Sequence, residues 1–206
     1  NALPLNNIKF NVIDINNSSN NYSMSSDAFG EINLGFENGN YNVSTQFENP
    51  NYFSISPNNV SINFPTQPSP VIQDFCVTSN GIHHDIETLI IPINPARPGF
   101  DANYKIIYKN KGNQTENGTI NLQFNDAILD LVSTNPAFTT QSINNLTFNY
   151  SNLQPFETRQ ISVVLNVNSQ TENPAVVGGD ILNYTTTNTI TNSDEMLSDN
   201  TFVLNH

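Results

Sequence analysis

Four oxygen-bearing side chains fall within seven residues near the end of the chain: Asp194, Glu195, Asp199 and Asn200. Hard carboxylate and amide oxygens gathered in one loop are the donor set of a Ca²⁺ site, which takes six to eight oxygens. Asp14-Ile15-Asn16-Asn17-Ser18 repeats the idea more weakly, with oxygens at alternate positions. Neither stretch has the central Gly or the closing bidentate acid of an EF-hand loop. A polar turn is the plainer reading of both, with structural Ca²⁺ at 194–200 as the sharper expectation. His83-His84-Asp85 is the chain's histidine cluster. Neighbouring residues on a strand point to opposite faces, so the two rings do not form a ligand pair by spacing alone. Following Asn80-Gly81, the cluster is expected to be a polar hairpin tip. Glycoside hydrolysis needs two carboxyls about 5–9.5 Å apart across a cleft. Asp126/Asp130 and Asp194/Glu195 are the available pairs, and both fall in turn-like stretches. Cys76 is the single cysteine; set between Phe75 and Val77, it is expected to be a small buried hydrophobe rather than a nucleophile. No catalytic or cofactor-binding residue is expected.

The composition narrows the partners. Six Lys+Arg against 18 Asp+Glu leave a net charge of −12. Such a chain repels nucleic acid and anionic membrane surfaces alike. No membrane span or signal peptide is expected. Charged residues make up 12% and hydrophobic residues 36%, with 38 Asn filling much of the remainder. Asn, Ser and Thr favour turns and solvated strand faces. Low hydrophobicity can mean disorder, but 13 Phe and 7 Tyr spread along the chain argue for a folded core. Ends at Asn1 and His206 read as those of a piece cut from a longer protein.

The elements that must position these residues are strands. Ala96 to Gly112, ARPGFDANYKIIYKNKG, shows the pattern best. Arg97-Pro98-Gly99-Phe100-Asp101 must turn, since Pro98 lacks a donor and Gly99 accepts a positive φ. Tyr104, Ile106 and Tyr108 then alternate with Lys105, Ile107 and Lys109, a period of two. Arg97 is expected to latch this turn through carbonyls, Asp101 or the Phe100 ring.

Residues 1–64 read as a small β domain with strands at Ile8–Asp14, Phe29–Gly35, Tyr41–Thr45 and Val60–Phe64. Glu37-Asn38-Gly39-Asn40 is expected to be a hairpin turn. Residues 65–70 hold three prolines and read as a stiff linker, one that would space two β domains into a rod. Residues 71–206 read as a larger immunoglobulin-like sandwich. Its strands are expected at Val71–Val77, Asp85–Ile93, Ala102–Lys109, Gly118–Phe124, Ile128–Ser133, Leu146–Tyr150, Arg159–Val167, Ile181–Ile190 and Thr201–Leu204. No window sustains a 3.6-residue period. The fold class is therefore all-β, two tandem β-sandwich domains.

Two resemblances attach to particular residues. Ser26-Asp27-Ala28-Phe29-Gly30-Glu31-Ile32 and Gly39-Asn40-Tyr41-Asn42-Val43 make the first domain similar to prealbumin-like modules of bacterial surface proteins, the collagen-adhesin B-type and carboxypeptidase-regulatory-like group. Some members of that group form a Lys–Asn isopeptide bond beside a buried acid. Lys9 and Asn63 stand where the partners would be, but Thr45 occupies the acid's position, so no crosslink is expected.

The second domain resembles conserved-repeat, immunoglobulin-like modules of large secreted Bacteroidota proteins. The match is carried by Asp74-Phe75-Cys76-Val77, Ala96–Ala102, Tyr108-Lys109-Asn110-Lys111-Gly112, Leu153–Glu157, Gly179-Asp180 and Asp199-Asn200-Thr201-Phe202. That resemblance implies type IX secretion, an extracellular or outer-surface location and no enzymatic activity.

The expected function is a non-catalytic structural spacer of an adhesin-like secreted or surface-displayed protein, monomeric, with the parent protein's neighbouring domains as partners. The alternative is an accessory module of a secreted enzyme that binds surface glycan or protein, for which Asn suits hydroxyl recognition. The absence of Trp removes the usual sugar platform.

Overall fold

The computed structural model describes residues 4–206. The chain divides into two compact units, Asn1–Ile82 and His83–His206. Both are all-β, and their strands pair antiparallel throughout.

The first unit contains β1 (Lys9–Asp14), β2 (Tyr22–Ser25), β3 (Gly39–Gln46), β4 (Phe53–Ser56), β5 (Asn59–Phe64) and β6 (Cys76–Ser79). One sheet has the order β2-β1-β3-β5, and β4 pairs separately with β6. Alternation drives the sheet: Phe10, Val12, Tyr41, Val43 and Ile62 are buried while their neighbours face outward.

The expected strand Phe29–Gly35 does not form. The Asp27 carboxylate instead accepts the backbone N–H groups of Phe29 and Glu31, both at 2.9 Å. Gly30 completes the turn at φ +75°, so local side-chain bonding replaces a ladder. With no strand before it, Asn38-Gly39 is not a hairpin turn but the entry to β3.

The expected division at residues 65–70 also moves. Gln67 folds back on Asn63 through two hydrogen bonds. Cys76–Ser79 pairs with β4 inside the first unit, so the second unit begins at His83 rather than Val71. On this short two-stranded ladder Cys76 is exposed, not buried. Lys9 lies opposite Gln46 and Asn63 opposite Asn40. Those two positions on β3 are roughly 20 Å apart at about 3.4 Å per residue, far beyond crosslinking reach.

The second unit contains β7 (Ile86–Pro92), β8 (Asp101–Asn110), β9 (Glu116–Gln123), β10 (Leu129–Asn135), β11 (Thr140–Ser142), β12 (Asn145–Leu153), β13 (Thr158–Val167), β14 (Asn183–Ile190) and β15 (Thr201–Asn205). Two sheets, β10-β13-β8-β7 and β11-β12-β9-β14-β15, close on one apolar core. Tyr104, Ile106 and Tyr108 point inward, and Lys105, Ile107 and Lys109 point outward. At the centre the Tyr184 hydroxyl donates to Tyr104 at 2.7 Å. Burial holds both phenols above their ordinary value.

Arg97 contributes its carbonyl to the turn, accepting Phe100 N–H at 3.1 Å, while Asp101 accepts from Asn166 instead. The latch is Arg159, bonded to Glu157 and to the carbonyls of Ser151 and Asn152.

Candidate functional site

Three segments meet at one end of the second sandwich: 83–85 before β7, 111–113 after β8 and 194–200 before β15. The backbone brings them together. Lys111 and Gly112 both donate N–H to the Asp85 carbonyl, at 2.8 and 2.9 Å. Asn113 N–H reaches the His83 carbonyl, and the Asn113 side chain accepts His83 N–H at 2.8 Å. Gly112 is needed for this approach, because a β-carbon there would lie 2.5 Å from the His83 carbonyl oxygen. On the far side, Thr88 N–H bonds the Asp199 carbonyl and Glu195 N–H the His84 carbonyl.

Side chains complete the junction. Asp194 accepts Ile86 N–H at 2.9 Å through one oxygen and Met196 N–H at 2.7 Å through the other. Carboxylate oxygens of Asp85, Asp194 and Asp199 all lie within 4.8 Å of one another. Asp85 is 1% exposed and Asp194 9%. The Lys111 ammonium donates to Asp199 at 2.7 Å, with the two side chains only 12% and 21% exposed. His83 pairs with Glu195 at 2.8 Å. His84 pairs with Glu116 at 2.5 Å, and that carboxylate is 2% exposed. Behind the junction Tyr150 donates to Asn188 at 2.9 Å. Burial raises the Tyr150 hydroxyl well above the ordinary phenol value; the Asn188 bond acts against this rise, and the Glu116 charge adds to it.

The four expected Ca²⁺ ligands therefore separate. Asp194 and Asp199 stand in the acidic trio. Glu195 turns away to His83. Asn200 is buried, with its side-chain oxygen lacking a hydrogen-bond donor. Asp85, Lys111 and Glu116 complete the junction and were not among the expected site residues. Their separations of 88 residues for Lys111–Asp199 and 32 for His84–Glu116 leave no local spacing to read.

His83-His84-Asp85 is not a hairpin tip: both rings are ion-paired and Asp85 is buried. Asp14 closes its own loop, accepting Asn16 and Asn17 N–H and the Asn20 amide. Those bonds, led by the Asn20 amide, hold its carboxyl below the usual value. Asp126 is engaged with Asn144 in a turn, and Asp130 faces outward on β10.

Asp85, Asp194 and Asp199 are the residues that could hold a hard cation. The Asp199 oxygen not bonded to Lys111 is buried without a donor, which favours one. Two features oppose it: both Asp194 oxygens already accept backbone N–H groups, and Lys111 already places a positive charge on the trio. The arrangement is an electrostatic clasp with its own cation, tying the entrance of β7 and the exit of β8 to the entrance of β15.

No family model and no curated protein matches the chain. Among solved structures it is similar to a DUF3823 family protein from Bacteroides ovatus, at 11% identity and a TM-score of 0.28, over 98% of this chain and 90% of that one. Among the described residues no helix is long and apolar enough to cross a membrane.

Proposed function

We propose that this chain is a non-catalytic extracellular structural module, a spacer in a secreted or surface-displayed adhesin-like protein. The observation that carries this reading is how the charged groups of the second unit are used. Lys111–Asp199, His83–Glu195 and His84–Glu116 all join segments distant in sequence at one end of the sandwich. Groups engaged in holding strand ends together serve cohesion rather than turnover. The resemblances to prealbumin-like surface modules and to type IX-secreted Bacteroidota repeats point the same way. The partners are then the parent protein's neighbouring domains, and the module acts as a monomer outside the cell.

Replacing this chain in its parent protein with an unrelated β-sandwich pair of similar length tests the reading. Retained surface display and retained adhesion support a spacer. Correct display with lost adhesion would overturn it. A second reading, an accessory module that binds glycan, is favoured by the uncharged sheet face described next.

A further inference from the structure

The outer face of the five-stranded sheet differs in kind from that of its partner sheet. Residues opposite one another across the strands can be followed through the registers. One row runs Thr140, Thr147, Asn121, Thr187, Thr201 across all five strands. The next runs Ser142, Asn145, Gln123, Thr185, Val203. A third, on three strands, is Asn149, Thr119, Thr189. Their sequence neighbours, among them Ile120, Leu122, Leu146, Phe148 and Tyr184, are buried, so the rows face outward. The mesh is set by the sheet: about 4.8 Å between strands and about 6.8 Å along them.

These rows hold no charged and no aromatic side chain. The companion sheet is the internal control. Its outer face carries Glu87 opposite Lys109, with Lys105 and Asp130 nearby. A merely solvated face in the same protein therefore uses charge, as water-facing sheets ordinarily do. The uncharged face is also pre-organised. Thr147 donates to Asn121 at 3.0 Å, Asn145 to Thr147 at 3.1 Å, Thr119 to Asn149 at 3.1 Å, and the Thr187 and Thr201 hydroxyls lie 3.3 Å apart. Side chains already fixed by one another lose little freedom on binding.

We propose that this face docks an insoluble, uncharged polysaccharide. Each amide and hydroxyl both donates and accepts, the complement of a surface of packed sugar hydroxyls. A neutral ligand brings no charge to compensate a buried carboxylate or ammonium, so a face without either avoids that desolvation cost. With no ring to stack on a sugar, adhesion must come from many weak bonds made at once. A packed chain surface is therefore the ligand, not a soluble oligosaccharide. This deepens the glycan-binding reading and leaves the spacer reading intact should it fail.

The test is depletion of the intact chain from solution by microcrystalline cellulose, α-chitin and insoluble β-1,3-glucan. At least one should deplete it. Binding should change less than about two-fold in about 1 M NaCl, because no ion pairs are involved. Asn121→Lys combined with Thr187→Lys should weaken binding about ten-fold or more, a loss of about 1.4 kcal/mol, while Lys105→Ala on the other face leaves it unchanged. Melting curves confirm that each variant folds, and Thr187→Lys alone replaces the pair if the pair does not. No depletion by any of the three polysaccharides overturns the proposal. So does equal binding by the Lys variants. Partition into growing ice without polysaccharide depletion also overturns it, assigning the face to ordered water instead.

Discussion

Replacing Lys111 with Met keeps most of the aliphatic stem and deletes the clasp's cation. Its ammonium lies 2.7 Å from Asp199, and the two side chains are 12% and 21% exposed. Exposed pairs contribute about 0–1 kcal/mol. Removing one partner of a buried pair costs about 3–5 kcal/mol. This pair lies nearer the buried limit. The loss also leaves the trio unbalanced, with carboxylate oxygens within 4.8 Å of one another. At an effective dielectric of about 20, two unit charges at that distance interact by about 3.5 kcal/mol. We therefore expect Lys111→Met to destabilise the second unit by about 3 kcal/mol, lowering its Tm by about 10 °C. Urea denaturation gives the free energy. A double-mutant cycle with Asp199→Asn should return a coupling above about 1 kcal/mol. Millimolar Ca²⁺ should restore part of the loss in the variant, while chelator leaves the wild-type midpoint unchanged. A variant within about 0.5 kcal/mol of wild type would refute the clasp. A chelator-sensitive wild type would show that a bound metal, not Lys111, balances the trio.

Three further outcomes follow from the second unit. Tyr184→Phe removes the 2.7 Å bond to Tyr104 and should cost about 1 kcal/mol at neutral pH. Because burial raises the folded Tyr184 phenol above the ordinary 10.0, its contribution is complete below about pH 10 and is lost as pH rises toward the folded value; the variant should show a shallower alkaline loss of stability. For Glu157 the sign is opposite. The Arg159 hydrogen bond lowers its folded value below 4.5, so its contribution is present above that pH and is lost as pH falls through the folded value. Glu157→Gln should flatten the acid limb of a pH–Tm profile, and an unchanged limb would remove the Arg159 latch. Gly118→Ala would drive a methyl group into the Thr189 carbonyl and the Tyr150 hydroxyl; about 2 kcal/mol of destabilisation is expected by chemical denaturation, and a neutral result would show that β9 can shift.

What the sequence made legible was periodic. The alternation through Tyr104–Lys109 places β8 and its buried face correctly, because a side-chain period of two depends only on neighbours in the chain. Phe29–Gly35 has similar alternation but no ladder, since Asp27 captures the backbone N–H groups that a strand would have offered. The site was half legible. Asp194 and Asp199 were visible as a local oxygen-rich stretch. Asp85 and Lys111 were not, because only the antiparallel register brings the ends of β7 and β8 to the start of β15. Glu195 shows the limit of spacing as a guide: it is adjacent to Asp194 yet turned to His83.

The central claim is that this module's charged groups serve cohesion. Thr88 N–H bonds the Asp199 carbonyl, so β7 and β15 begin side by side, and tension on residues 83 and 206 loads that junction in shear. Single-molecule pulling between these two positions is the direct measurement. One cooperative high-force rupture, lowered markedly by Lys111→Met, is the expected result. Gradual unzipping at low force, with the variant indistinguishable from wild type, would contradict the account.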